Sequence, residues 1–196
     1  MTEKIILATN NENKVREIRR ILHNDRLVGL SVYPDIREIE ESGSTFQENA
    51  LLKATGYFKQ INIPVIAEDS GLIVPALQGA PGIFSARYAG PDANADLNNK
   101  KLLAAMKDIP DNNRVGYFIC CAVYYNGRET ITAEGRVAGT ITRSPRGTAG
   151  FGYDPVFLIP EYGKTFAELG AGIKNQISHR RKAMIELKEK LKLRLY

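Results

Sequence analysis

The chain has little with which to cross-link itself or to cross a bilayer. Its only two cysteines, Cys120 and Cys121, are neighbours in the apolar run YFICCAV. Adjacent cysteines rarely bridge, so no disulfide framework is expected and both read as small buried hydrophobes in a strand. No run of about 18 apolar residues occurs, so no segment is expected to span a membrane. The opening MTEKIILATNN has too short an apolar run, too soon followed by polar residues, for a secretory signal. A reducing cytoplasm fits these absences. Also missing are internal repeats, a low-complexity linker and the G-x-x-x-x-G-K-[ST] phosphate loop. Histidine is scarce: His23 in a polar helix end reads as a surface residue, and His179 stands near the C-terminus.

What is present is enough apolar residue (43% of 196) to bury the core of one domain, bilobed at most. The net charge of +5 is uneven. From Lys174 onward, eight lysines and arginines face only Glu186 and Glu189, so the rest of the chain nets about −1. A nucleic-acid binder would spread its basic charge over a broad face. Basicity confined to one terminal element suits a small anionic ligand at its start and a solvated helix face beyond.

The apolar run Lys4–Ala8 reads as a buried strand. After the polar break at Thr9–Asn11, Val15, Ile18, Ile21 and Leu22 fall at helical spacing. Leu27–Tyr33 reads as a second strand. Thr45 and Glu48 form a capping box for a helix reaching about Ile61. Ile63–Ala67 and Leu72–Leu77 read as two strands on either side of an acidic turn. A glycine-rich loop at 79–90 leads to a helix over Ala93–Met106, with Leu97, Leu102, Leu103 and Met106 inward. Val115–Tyr125, Asn126-Gly127 and Glu129–Val137 spell a hairpin. The glycine- and proline-rich 144–155 precedes an apolar run at 156–159. A last helix from about Arg180 carries the stripe Ala183, Leu187, Leu191. The order predicts an α/β fold, a mixed sheet flanked by helices.

Five segments carry chemistry. Thr9-Asn10-Asn11-Glu12-Asn13-Lys14 offers a hydroxyl, side-chain amides and a lysine at a helix start after a strand, the parts of a phosphate cradle. As fold maintenance, Asn11 would merely cap the helix and Lys14 would be a solvated lysine. Glu68-Asp69-Ser70-Gly71 places a carboxylate at a strand end, where it can hold Mg²⁺ and orient or deprotonate a water, with Ser70 as a donor. An Asp-Ser-Gly turn is also a common structural turn. One of Glu38, Glu40 and Glu41 facing Asp69 would complete a magnesium site, although such a run is usually solvated. In Phe151-Gly152-Tyr153-Asp154, an aromatic ring can stack on a purine and Asp154 can accept from a base or brace the turn. Lys174, Ser178, His179 and Arg180 gather positive charge at the start of the last helix, with Ser178 placed to cap it.

Six blocks, T9NNENK14, T45FQENA50, E68DSGL72, G79APGIFSARY88, G150FGYDP155 and I177SHR180, stand in one order along nearly the whole chain. Together they resemble the house-cleaning inosine/xanthosine triphosphate pyrophosphatase family. The resemblance implies a long mixed β-sheet flanked by helices, two lobes with a central nucleotide-binding cleft, and a homodimer. It implies Mg²⁺-dependent hydrolysis of ITP, dITP and XTP to the monophosphate and pyrophosphate. By position, Thr9–Lys14 would hold the triphosphate, Asp69 would accept the proton of the attacking water, and Glu40 with Asp69 would hold Mg²⁺. Ser70, Phe151, Gly152, Tyr153, Asp154, Lys174, His179 and Arg180 would bind the nucleotide. The chain departs from the pattern at Glu68, where Asp is usual, at Ala149, where Gly is common, and at Gly172-Ile173, which replace an acidic pair. None of these removes a catalytic group. Two other readings remain: a regulatory module that binds nucleotide without turnover, and an RNA-binding protein using the basic terminus. The first would release no pyrophosphate from ITP and Mg²⁺, and the second would bind RNA with a steep salt dependence.

Overall fold

The computed structural model describes residues 4–23 and 26–192, the side chain of Asn13 excepted; Arg194 of the basic terminus lies outside the described residues. Seven strands form one sheet in the order β2-β1-β3-β4-β5-β6-β7. These are β1 (Ile5–Leu7), β2 (Leu27–Gly29), β3 (Val65–Ile73), β4 (Val115–Tyr125), β5 (Thr130–Ile141), β6 (Phe157–Ile159) and β7 (Lys164–Thr165). The sheet is mixed, as the order of apolar runs predicts. β1 pairs in parallel with β2, Ile6 beside Val28, and with β3, Ile6 beside Val65, while β5, β6 and β7 pair antiparallel. The helices are α1 (Glu12–Leu22), α2 (Phe46–Ile61), α3 (Ala95–Ala105), α4 (Phe166–Ile177) and α5 (His179–Lys192).

The chain divides into two compact units, and β3, β4 and β5 contribute to both. Unit 1 holds residues 1–69, 120–135 and 179–196; unit 2 holds 70–119 and 136–178.

In unit 1 successive strand residues face opposite ways, and the core divides accordingly. Leu7, Ile66, Cys120 and Ala122 pack with Val15 and Ile18 of α1 and with Ala183 and Leu187 of α5. Their neighbours Ile6, Val65, Ala67 and Val123 pack with Ala50, Ala54 and Tyr57 of α2. The spacing of the α1 and α5 stripes thus makes them neighbours on one sheet face. Gly135 of β5 permits a close approach there, since a Cβ would lie 2.0 Å from the His179 carbonyl oxygen and 2.4 Å from the Ala183 nitrogen.

Unit 2 is built on Leu72, Phe118, Val137 and Ile141 of the sheet and Val74 just beyond β3, packed with Leu102 of α3 and Met106 at its end. Phe118, Phe157 and Phe166 form an aromatic trio with centroids 4.5, 5.5 and 6.0 Å apart.

Several expectations are corrected. The acidic segment is not a turn between two strands: β3 runs unbroken through Glu68-Asp69-Ser70-Gly71. Gly71 is absent from the glycines with positive φ, and both carboxylates find partners without the chain reversing. The second strand stops at Gly29, where a 3₁₀ turn over Leu30–Val32 begins. Thr45 caps α2 by accepting from the Glu48 amide at 3.1 Å, and Glu48 reaches back most closely to the Ser44 amide, at 2.7 Å. A full capping box at Thr165 and Glu168 opens α4, a helix not expected from the sequence. Leu97 points outward, 47% exposed, while Asn98 and Asn99 turn inward. Cys120 and Cys121 are unbridged and buried in β4, as expected.

Gly135→Ala should destabilise the protein by about 3 kcal/mol, because the added methyl meets backbone atoms that cannot rotate away. Urea denaturation measures this, and the loss should exceed that of Gly163→Ala, where no atom stands within 4 Å of the new Cβ.

Candidate functional site

The loop after β1 runs directly into the start of α1 and is held by local side-chain bonds. The Asn11 amide nitrogen donates to Thr9 Oγ1 at 3.1 Å, and Asn11 Oδ1 accepts from the Lys14 amide at 3.3 Å. Asn11 therefore does cap α1. Capping leaves the positive end of α1 aimed at the same exposed loop that holds Asn10. Glu12 is turned aside, accepting from Ser31 Oγ at 3.1 Å. The Asn13 side chain lies outside what is described.

Lys14 is not a solvated lysine. Its ammonium lies 2.8 Å from Glu68 Oε1. Glu68 also accepts from Arg180 Nη2 at 3.2 Å, and from the Cys120 thiol at 3.1 Å on its other oxygen. Arg180 in turn donates from Nη1 to Glu17 Oε2 at 2.8 Å. The result is a charge chain, Glu17–Arg180–Glu68–Lys14, joining α1, β3 and the start of α5. Arg180 is 1% exposed and Glu68 5%, so the chain is buried except at Lys14.

Burial pushes the Glu68 carboxyl up, but Arg180 and Lys14 outweigh it and hold the group well below the usual carboxylate range. Burial pulls Arg180 down, and Glu68 and Glu17 more than restore it. Both stay charged. Burial and the adjacent Glu68 push the Cys120 thiol well above its ordinary range, which suits a proton donor and not a nucleophile.

Asp69, one residue on in β3, points to the opposite face. Asn49 Nδ2 donates to Asp69 Oδ2 at 3.1 Å, and Asn49 Oδ1 accepts from the Gly43 amide at 2.8 Å. Lys53 lies 2.6 Å from Glu41 and 3.9 Å from Asp69 Oδ1. Asn49 and Lys53 are one turn apart on the buried side of α2. The structure thus draws Glu41 to the lysine beside Asp69, while Glu38 and Glu40 are exposed. Among the described residues no group of three or more His, Cys, Asp or Glu side chains gathers to hold a metal. A carboxylate pair is the donor set that Mg²⁺ takes when phosphates and waters supply the rest.

Unit 2 holds a second constellation, the turn Gly150–Asp154. Asp154 Oδ2 accepts from the Phe151 amide at 2.9 Å and from the Lys174 ammonium. That ammonium also lies 4.1 Å from the centroid of the Phe151 ring. Asp154 and Lys174 are buried, whereas Phe151 is 43% exposed and presents an aromatic surface. Gly150 is required, because a Cβ there would sit 2.1 Å from Asp154 Oδ2 at a φ of +84°. Tyr153 is buried and donates from its hydroxyl to the Ser85 carbonyl at 2.8 Å. Ser70 is half-buried, and His179 is buried at the first residue of α5. Ser178 takes an extended conformation between α4 and α5.

Within unit 1 the candidates Lys14 and Arg180 meet on Glu68, and within unit 2 Phe151, Asp154 and Lys174 form a second group. Sequence reasoning missed Asn49, Lys53, Glu17 and Asn99. A signal existed for the first two: Asn49 and Lys53 interrupt the apolar stripe Phe46, Ala50, Ala54, Tyr57, and polar residues on a buried helix face need partners.

Arg180→Ala should cost about 3–5 kcal/mol, because Glu17 and Glu68 would stay buried with one cation removed. Chemical denaturation measures the loss. A change below about 1 kcal/mol would contradict the charge chain.

Residues 5–190 match the Ham1 family. The chain is 47% identical to the dITP/XTP pyrophosphatase of Geobacillus kaustophilus, over 95% of this chain and 93% of that protein. It is equally identical to the dITP/XTP pyrophosphatase of Escherichia coli K12, over 93% and 94%. Among solved structures, the Staphylococcus aureus Ham1 protein superposes with a TM-score of 0.89 at 40% identity, over 97% of this chain and 98% of that one. A HAM1 protein from Coxiella burnetii gives 0.90 at 38% identity, over 97% and 99%. The match over residues 5–190 and the near-full-length identity to these relatives show that this chain belongs to the Ham1 family.

Proposed function

We propose that the protein hydrolyses non-standard purine nucleoside triphosphates, ITP, dITP and XTP, to the monophosphate and pyrophosphate. The observation that carries this reading is the fixing of Asp69. Its carboxylate is 9% exposed, held by Asn49 on one oxygen and faced by Lys53 on the other, one residue from the glutamate that tethers Lys14. Near-full-length identity to proteins named dITP/XTP pyrophosphatase supports the same reading.

A triphosphate brings about three to four negative charges, which must be neutralised before water approaches phosphorus. Thr9–Lys14 would receive the phosphates with loop amides, the α1 terminus and the Lys14 ammonium. Asp69, with a glutamate of the 40–41 pair, would hold Mg²⁺, which when bound supplies further charge neutralisation at the phosphates. Asp69 would orient the attacking water and take its proton.

Phe151 would stack on the base, with Gly152, Tyr153, Asp154, Lys174 and Ser70 shaping its pocket. His179 and Arg180 stand at a positive helix start. A 6-oxo purine offers an acceptor at O6, where adenine offers a donor. Buried donors there would reject adenine at about 1–3 kcal/mol per unpaired group. We also infer a cytoplasmic homodimer from the family resemblance; no helix among the described residues is long and apolar enough to cross a membrane.

The test is release of pyrophosphate from ITP, XTP, dITP, GTP and ATP, with Mg²⁺ and with EDTA. The first three should be turned over strongly in preference to ATP, and only with the metal. Asp69→Asn should lower kcat for ITP by about 10²–10⁴-fold without loss of fold. Near-normal turnover by that variant would remove Asp69 from the chemistry.

A further inference from the structure

Two adjacent asparagines on α3 are buried, and they are used very differently. Asn98 is saturated. Its Oδ1 accepts from the Ala89 amide at 2.7 Å and its Nδ2 donates to the Ala86 carbonyl at 3.0 Å. That residue holds the 82–89 segment in place, a task of the fold.

Asn99, 4% exposed, makes one such bond, from Nδ2 to the Gly152 carbonyl at 3.0 Å, across 53 residues of sequence. A carbonyl only accepts, so the amide must turn its NH₂ end to Gly152, and Oδ1 is left over. Asn99 Oδ1 is buried with no hydrogen-bond partner among the described residues. A buried half-satisfied amide is a poor device for stability, since an unpaired acceptor costs about what a hydrogen bond returns.

What Asn99 does secure is the orientation of one peptide in the turn Gly150–Asp154. The other braces of that turn act on different atoms: Asp154 on the Phe151 amide, Lys174 on Asp154 and on the face of the Phe151 ring, and Tyr153 on Ser85. Gly152 has a φ of +62° and no side chain with which to hold itself. Without Asn99 the Gly152 carbonyl would lose this partner, and the placement of the Phe151 ring would rest on Asp154 and Lys174 without the brace on the following residue.

We propose that Asn99 is a positioning residue for base recognition. It locks the Gly152 carbonyl and with it the ring of Phe151, at the expense of an unpaired acceptor in the core of unit 2. The proposal rests on the nucleotide reading given above and deepens it. Asn99 acts on the base end of the ligand and not on its phosphates.

Two variants test it. Asn99→Leu keeps the volume and removes both polar ends. Asn99→Asp keeps the shape but sets an acceptor against the Gly152 carbonyl. In each, KM for ITP should rise about tenfold, as for one lost oriented hydrogen bond, while kcat changes less than threefold. The ratio of kcat/KM for ITP over ATP should fall. IMP binding without metal, measured by calorimetry, should weaken about tenfold, while inhibition by inorganic pyrophosphate stays unchanged. The thermal midpoint of Asn99→Leu should be no lower than that of the parent. Unchanged KM and IMP affinity in both variants would overturn the proposal. A fall in kcat that merely follows the folded fraction, with KM unaltered, would overturn it equally by making Asn99 a structural residue. If the parent protein neither hydrolyses ITP nor binds IMP, the functional reading itself fails and takes the proposal with it.

Discussion

A carboxylate that is 5% exposed stays ionised only if donors converge on it, and Glu68 has three: Lys14, Arg180 and Cys120. Unit 1 is arranged around that requirement. β3 supplies the carboxylate, α1 supplies Lys14 and Glu17, α5 supplies Arg180, and β4 supplies the thiol. A buried ion network of this kind is not an efficient source of stability, because desolvation offsets much of the attraction. Its effect is positional. Lys14, the one partly exposed member, is fixed at the first turn of α1 beside the loop that caps it. Arg180 and Lys14 both meet Glu68 on a single oxygen, Oε1.

The strand itself separates two duties by its period of two. Glu68 faces the charge chain and Asp69 faces α2, so a structural carboxylate and a proposed catalytic one stand side by side, one bonded to Lys14, Arg180 and Cys120 and the other to Asn49. Asp69 answers to Asn49 and Lys53, which stand one turn apart on α2, and Asn49 in turn accepts from the Gly43 amide. The segment that carries Glu40 and Glu41 is thereby tied near its end to the aspartate with which one of them would hold a metal.

Much of this was legible in the sequence, and the exceptions have physical causes. The stripes of α1 and α5, the first strand and the Asn-Gly hairpin follow periodicity and turn chemistry and stand where the pattern puts them, although the second hairpin strand runs on to Ile141. The acidic turn was misread because Asp-Ser-Gly has turn composition, whereas bonds from Asn49 and Lys14 hold β3 straight through it. Helix α4 escaped because Gly170 and Gly172 interrupt its pattern; the chain is in fact kinked at Gly170, with φ +70°. Hydrophobicity alone predicts Leu97 inward, whereas hydrogen bonds of Asn98 and Asn99 set the inward face of α3. The phosphate-loop, acidic and aromatic-turn candidates were found from motif chemistry. The residues that orient them, Glu17, Asn49, Lys53 and Asn99, are polar side chains on helix faces, and only the tertiary structure shows their partners.

The central claim is that water, oriented by Asp69, attacks the α-phosphorus of a 6-oxo purine triphosphate. The most direct measurement is hydrolysis of ITP in H₂¹⁸O, with mass analysis of both products. The account predicts one ¹⁸O in IMP and none in pyrophosphate. Label in pyrophosphate, or release of inorganic phosphate with IDP, would contradict it.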